Sequence, residues 1–471
     1  SLWYKTEGAV AMKKTVKLGY IPTRRNVFSA EEAREFRKKI KETIRSWGAE
    51  LVDIDDITAE GLLVNESELA EIVKKMKSEQ VDGLFFPHCN FGTEDLVAKA
   101  AKALNKPVLL WGPRDDAPLA DGLRTRDTQC GLFATGKVLR RFNIPFTYLE
   151  NCWLDSPEFR CGYEKFISVC AAVTAFRKTR VLQLGPRPDG FWSVICNEGE
   201  LIERFNIHTF PVSLIDLVDK TYEILKEKIS AFQNALKKIT DSMRTQDCPR
   251  EDVEKLAALK AAIQEMCEDH QCNCVAIQCW NALQSGLGIM PCLVNGLLIE
   301  EGIPVACETD IHGAVTSVLL QAAGLFEKPI FFADVTVRHP ENDNAELFWH
   351  CGNFSPSLAA PESTKELGRH FIFPEHKYGT GEWRIKDGDV TICRFDGDHG
   401  EYRLFVGEGK SVPGPHTKGT YLWVEVDQWT KWERTLVEGP YIHHCAGIHG
   451  KYADILQEAC KYLGINAVDR M

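Results

Sequence analysis

Over the first third of the chain, short apolar runs alternate with longer stretches in which apolar residues recur every three or four positions. Residues 15–21, 50–54, 81–86 and 107–111 are the runs; 30–47, 66–76 and 93–104 are the amphipathic stretches. A 3.6-residue period predicts helices, and short continuous runs predict strands buried on both faces. Ser29 ahead of Glu31 and Glu32 marks a helix start, because acids in a first turn suit the helix dipole. Strands and helices in alternation predict a parallel, doubly wound sheet.

A second alternation starts near residue 156. Strands are predicted over 180–185, 274–278, 304–307 and 329–334, with helices over 193–205, between 214 and 267, and over 313–323. From about residue 340 the texture changes to Gly, Pro, Trp and short alternating runs at 389–395, 401–406 and 421–426. That pattern predicts an antiparallel sheet or barrel, closed by a last helix over 451–463. The predicted architecture is α/β. Two doubly wound parallel-sheet domains of Rossmann or flavodoxin-like type, residues 1–155 and 156–340, precede a C-terminal antiparallel β-barrel domain with a terminal helix, residues 341–471.

Composition narrows the function classes. A chain of 471 residues exceeds one core, and its 44% apolar and 26% charged content is ordinary for a globular protein. The net charge of −11 disfavours a nucleic-acid partner, which would call for a basic face. No run reaches the ~18–20 apolar residues a membrane span needs. No secretory leader is read at the start, so no membrane partner and a cytoplasmic location are expected. Residues 1–11 read as an added leader ahead of Met12. The 17 cysteines are expected to be reduced thiols.

Ligands of open α/β sheets bind beyond the carboxyl ends of the strands. Two predicted strands run directly into acids: Val305-Ala306-Cys307-Glu308-Thr309-Asp310 and Ile330-Phe331-Phe332-Ala333-Asp334. One helix joins them, so they are expected to be neighbours in a sheet. Paired carboxylates repel unless a cation or proton sits between them, and carboxylate oxygens suit Mg²⁺ or Mn²⁺. The bland alternative is helix capping, which is the favoured reading for Asp310. Three histidines lie close together at His443, His444 and His449 beside Gly447 and Gly450, as ligands or as a solvated loop. His350, in Phe-Trp-His-Cys-Gly-Asn, is a further candidate, with a buried core histidine as its alternative. Arg24-Arg25 follow the first strand. Pro87-His-Cys-Asn-Phe91-Gly-Thr-Glu94 enters a helix whose N-terminus suits a polar ligand. The Gly185–Gly190 turn has neither dinucleotide nor P-loop spacing, and there is no G-x-S-x-G elbow.

At these residues, and in order over most of its length, the chain resembles the L-fucose isomerase / L-arabinose isomerase family. The segment after residue 305 resembles the one in which a strand-end Glu is a metal ligand, which implies Glu308. Phe332-Ala333-Asp334-Val335 resembles the fucose branch's segment carrying the second ligand, Asp334. His443-His444 resembles the late motif of the third ligand, and His444 fits it better. The arabinose branch has a fourth ligand, a histidine; His350 falls at the comparable place. Arg24, Arg25, Phe91, Gln278, Trp280, Trp423 and His443 look like substrate-binding positions, with core packing as the alternative for both tryptophans. The resemblance implies Mn²⁺, or another divalent cation such as Mg²⁺ or Co²⁺, and a homo-oligomer of trimeric or hexameric size. In it the N-terminal domain faces substrate, including that of a neighbouring subunit.

The expected activity is a metal-dependent aldose–ketose isomerisation of a pentose or 6-deoxyhexose of the L-fucose, D-arabinose or L-arabinose type. It runs through a cis-enediol, with Glu308 and Asp334 as the acid–base pair. The alternatives are a non-catalytic sugar-binding or regulatory protein on the same scaffold, and a metal-assisted hydrolase or lyase.

Overall fold

The structure is a computed structural model that describes residues 3–6, 9–12, 15–372, 376–465 and 467–471. The described residues form two compact units. One spans Thr15–Thr174 with Lys461–Gly464, and the other holds the remainder.

The N-terminal unit is a five-stranded parallel sheet: β1 (Lys17–Tyr20), β2 (Glu50–Val52), β3 (Gly83–Pro87), β4 (Val108–Trp111) and β5 (Thr147–Tyr148), in the order β2-β1-β3-β4-β5. β3 and β4 are buried along their whole length, which is why they read as continuous apolar runs. The helix Ala30–Ser46 starts where Ser29 accepts the Glu32 N–H at 3.3 Å, as the sequence predicts. The order reverses between β1 and β3, so the loops after those strands line the crevice of this sheet.

The larger unit holds a second parallel sheet and a barrel. The sheet comprises β6 (Arg180–Leu184), β7 (His208–Val212), β8 (Cys274–Ile277) and β9 (Val305–Ala306), ordered β9-β8-β6-β7, with its reversal between β6 and β8. The barrel strands are β10 (Phe331–Arg338), β11 (Ala345–His350), β12 (Asp389–Asp398), β13 (Glu401–Ser411), β14 (Thr420–Glu425) and β15 (His444–His449). They close antiparallel in the order β14-β11-β10-β15-β12-β13-β14, and closure leaves no exposed edge. The helix Ala453–Leu463 follows, as expected.

The strand before Asp334 departs from the sequence reading. It is not a neighbour of β9 in the parallel sheet but the first barrel strand, pairing with β11 and β15. An apolar run ending in an acid looks alike in both settings, and only its partners tell them apart. The expected helix over 193–205 is also shorter: a 3₁₀ turn at Trp192–Val194 precedes a helix Glu198–Phe205 capped by Asn197.

The helix Ile311–Ala323 ties sheet to barrel. All its residues are buried, and it packs on β8 on one side and on β12 and β15 on the other. A helix buried all round belongs between two layers. Its first turn is tight: a methyl group on Gly313 would lie 2.6 Å from the Phe332 ring and 2.5 Å from the Asp310 carboxylate. Glycine there lets Asp310 and Phe332 approach the helix start.

Candidate active site

Four of the predicted site residues meet where the parallel sheet faces the barrel. Glu308 follows β9, Asp334 lies within β10, His350 ends β11 and His444 begins β15. β10 and β15 pair so that Asp334 lies directly opposite His444. His444 Nε2 stands 3.5 Å from Glu308 Oε2 and 3.4 Å from Asp334 Oδ1. His350 Nε2 stands 4.0 Å and 3.9 Å from the same two oxygens. Glu308 reaches this point because it and Thr309 adopt left-handed backbone, with φ of +53° and +57°. Non-glycine residues held there store strain of about 1–3 kcal/mol each, which a stable fold tolerates mainly at functional sites.

Glu308 Oε2, Asp334 Oδ1 and His350 Nε2 are buried and find no hydrogen-bond partner among the described residues. Buried polar atoms without partners are rare and need an explanation. A divalent cation supplies one. Two carboxylate oxygens and the His444 Nε2 converge on one point, with the His350 ring beside them, and that donor set suits Mn²⁺ and its neighbours. The electrostatics agree. Burial, and then the neighbouring Cys307, push the Glu308 carboxyl up to about 7. Burial works against protonation of His444, but Asp310 and Asp334 hold its pKa above the ordinary imidazole value. The group acts as a cavity that draws positive charge.

Each imidazole has a different support. His444 Nδ1 lies 2.9 Å from Asp310 Oδ2. An ionised carboxylate only accepts, so Nδ1 carries a proton, and in the neutral ring Nε2 then presents its lone pair on the side of Glu308 and Asp334. His350 Nδ1 instead accepts the Cys351 backbone N–H at 3.0 Å.

Around Glu308 the other wall is made of thiols and amides. Glu308 Oε1 accepts from Trp280 Nε1 and from the Cys279 thiol, both at 3.1 Å. Cys307 Sγ accepts from Asn295 Nδ2 at 3.4 Å and Asn353 Nδ2 at 3.6 Å. Cys292 and Cys351 sulfurs lie 3.3 Å apart, unbonded. Among the described residues, three sets bring potential ligand atoms within 4.8 Å of one another: Asp334/His443/His444, Cys279/Cys307/Glu308 and Cys292/Cys351/His370.

The substrate-wall candidates separate. Trp280 is bonded to Glu308, and Phe191 lies over the His444 ring at 5.9 Å and edge-on to Trp280 at 6.2 Å. Gln278, at the end of β8, sits beside Gly185 at the end of β6, on the switch point of this sheet. His443 is exposed, its ring 4.4 Å from that of His444. Trp423 is not brought to the cluster. It is 4% exposed in an apolar group with Leu347 and Tyr421, its indole donating to the Pro415 carbonyl at 2.9 Å. Packing claims it, because strand pairing sets it opposite Leu347. In the N-terminal unit, Arg24, Arg25 and Phe91 gather at the β1/β3 reversal. The Arg25 guanidinium lies 4.5 Å over the Phe91 ring, and Arg24 pairs with Glu60 at 2.6 Å.

Sequence reasoning missed Phe191, Cys279, Cys307, Arg394 and Asp396, and gave Asp310 only half its role. Asp310 does cap the helix, accepting the Gly313 N–H at 2.9 Å, but it also holds His444. The signal for Arg394 and Asp396 was present: two charges within the otherwise apolar run of β12.

Two family models match the chain. The fucose/sulfoquinovose isomerase N-terminal domain covers residues 19–177 and the L-fucose isomerase C-terminal domain covers 348–470, together more than half of it. Over 464 residues the chain is 26% identical to proteins named sulfoquinovose isomerase from Priestia aryabhattai and Priestia megaterium, covering 96% of this chain and 99% of theirs. It is 25% identical over 456 residues to one from Alkalicoccus urumqiensis, covering 96% and 98%. The protein is an enzyme of the aldose–ketose isomerase class. The chain belongs to the fucose/sulfoquinovose isomerase family. No described helix is long and apolar enough to cross a membrane.

Proposed function

We propose that this chain isomerises an aldose to its ketose with a divalent cation held by Glu308, Asp334 and His444, with His350, whose Nδ1 accepts the Cys351 N–H, presenting Nε2–H beside the set. The observation that carries the reading is the convergence of four buried side-chain atoms, three of them without a hydrogen-bond partner among the described residues. A bound cation there supplies Lewis-acid polarisation of the sugar carbonyl. Glu308 and Asp334 are the proton carriers. One carboxylate removes the C2 proton of the open-chain sugar to give a cis-enediol, and the proton returns at C1 while a second group moves the hydroxyl proton. Trp280 fixes the Glu308 carboxylate through its indole N–H. Phe191 covers the His444 ring and, with Trp280, helps to exclude water.

For the substrate, the full-length relatives named for sulfoquinovose support that sugar, and the motif resemblance supports L-fucose, D-arabinose or L-arabinose. Gln278, Trp280 and His443 are proposed to contact it. Arg24, Arg25 and Phe91 are proposed as sugar contacts that the N-terminal unit offers in an oligomer. The test is an aldose panel of these four sugars, followed by NMR for ketose, with EDTA and then with Mn²⁺ restored. Ketose from at least one sugar, abolished by EDTA and recovered with Mn²⁺, is expected. Binding without turnover across the panel would instead favour a sugar-binding protein.

A further inference from the structure

Behind His444 runs a line of buried charged and polar side chains that the reaction itself does not use. Asp310 Oδ2 meets His444 Nδ1 at 2.9 Å, and Asp310 Oδ1 accepts the Gly313 N–H at 2.9 Å. Arg394 grips Asp310 through both terminal nitrogens, Nη2 reaching Oδ1 at 3.1 Å. The same guanidinium holds Asp396 at 2.6 Å, and Asp396 Oδ1 lies 2.9 Å from His312 Nδ1. Asp310 is 1% exposed, Arg394 0%, Asp396 6% and His312 3%.

A buried ion group is weak evidence for stability, since a well-packed apolar set of the same volume does as well or better. A helix cap alone needs one oxygen, and Ser or Asn would supply it. Asp310 uses one oxygen for the cap and turns the other on an imidazole whose far nitrogen faces Glu308 and Asp334. Arg394 keeps that carboxylate ionised and unable to rotate away.

We propose that Asp310 is a positioning residue. Backed by Arg394 and Asp396, it locks His444 in the tautomer and orientation that present Nε2 to a divalent cation. This rests on the cation-site reading above. Hydrogen-bonded carboxylates behind ligand histidines orient the ring and raise its basicity, and their loss weakens metal binding about 10–100-fold.

The experiment is Mn²⁺ titration, read by the EPR signal of free Mn²⁺, of the full chain and two variants. Asp310→Asn keeps the capping oxygen and the shape but turns an amide NH2 donor on Nδ1, losing both the charge and the acceptor. Asp310→Ser keeps a capping oxygen but is too short to reach His444. Circular dichroism checks that each is folded. The expected result is affinity reduced about 10–100-fold in both variants. A Co²⁺-loaded sample should show a changed visible spectrum in both, a signature that helix capping would not move. Variants that bind Mn²⁺ within two-fold of wild type, with an unchanged Co²⁺ spectrum, would overturn the positioning role and leave the cation site standing. A wild type that binds no Mn²⁺ would overturn the cation site, and the positioning role with it. Should Asp310→Ser fail to fold, the isosteric Asn variant decides alone.

Discussion

The two walls of the Glu308 cluster are built from different chemistry. Behind His444 stand Asp310, Arg394 and Asp396, all ionisable and hydrogen-bonded to one another. Behind His350 stand Cys307, Cys351 and Cys292, with contacts made by thiols and backbone N–H groups. The charged wall uses ion pairs to fix one imidazole's proton on the side away from the cluster. The thiol wall places a backbone donor on the other imidazole and leaves its Nε2 without a partner among the described residues. One wall therefore prepares a ligand, while the other closes the cavity with small, soft, mostly apolar groups. Substitutions on the two sides should have unequal effects.

The largest effect is expected at the residue both walls share. Glu308→Gln preserves shape and removes the proton carrier, so turnover should fall by about 10²–10⁴-fold with the thermal midpoint little changed. Steady-state kinetics with ketose detection checks this; near-wild-type turnover would remove Glu308 from the mechanism. Next comes Arg394→Met in the charged wall. It leaves Asp310 and Asp396 buried without their counter-charge, and breaking such a group costs about 3–5 kcal/mol. The matching change in the thiol wall, Cys351→Ala, should cost only about 1 kcal/mol. Urea denaturation of the two variants compares them, and equal losses would erase the contrast.

A smaller effect is a pH slope. Burial and Cys307 hold the Glu308 carboxyl at about 7 in the metal-free protein, above its ordinary 4.5. The folded state then binds a proton that the unfolded chain has already released between those values. Stability of the metal-free protein from this group is thus present at pH 4.5 and lost as pH rises through 7. Cation uptake should show the opposite trend, strengthening over the same window. Glu308→Gln should flatten the stability slope, measured as thermal midpoint against pH; equal slopes in the two proteins would contradict the assignment.

Much of this was legible in sequence because local pattern and local role coincide. β3 and β4 are buried on both faces and read as apolar runs; Ser29 begins a helix and caps it. Glu308 was legible because an acid directly after an apolar strand stands out. The placement of Asp334 was less so. An apolar strand ending in Asp looks the same in a parallel sheet and in a barrel, and pairing with His444 across more than a hundred residues decides it. Asp310 was read as a cap, a true but partial account, since its second oxygen serves a residue far along the chain. Arg394 and Asp396 were missed because Asp310 and His312, which they hold, lie on other elements. For Trp423 the sequence left core packing open beside a substrate contact, and strand pairing opposite Leu347 sets it in an apolar group.

The most direct test of a single cation site built by Glu308, Asp334 and His444 is the stoichiometry of tight Mn²⁺ binding, read by EPR at pH 7.5. Wild type and Cys351→Ala should each bind one ion per chain tightly, while Glu308→Gln and His444→Gln should lose that binding with their folds intact. Tight one-to-one binding that survives both Glu308→Gln and His444→Gln would contradict the account.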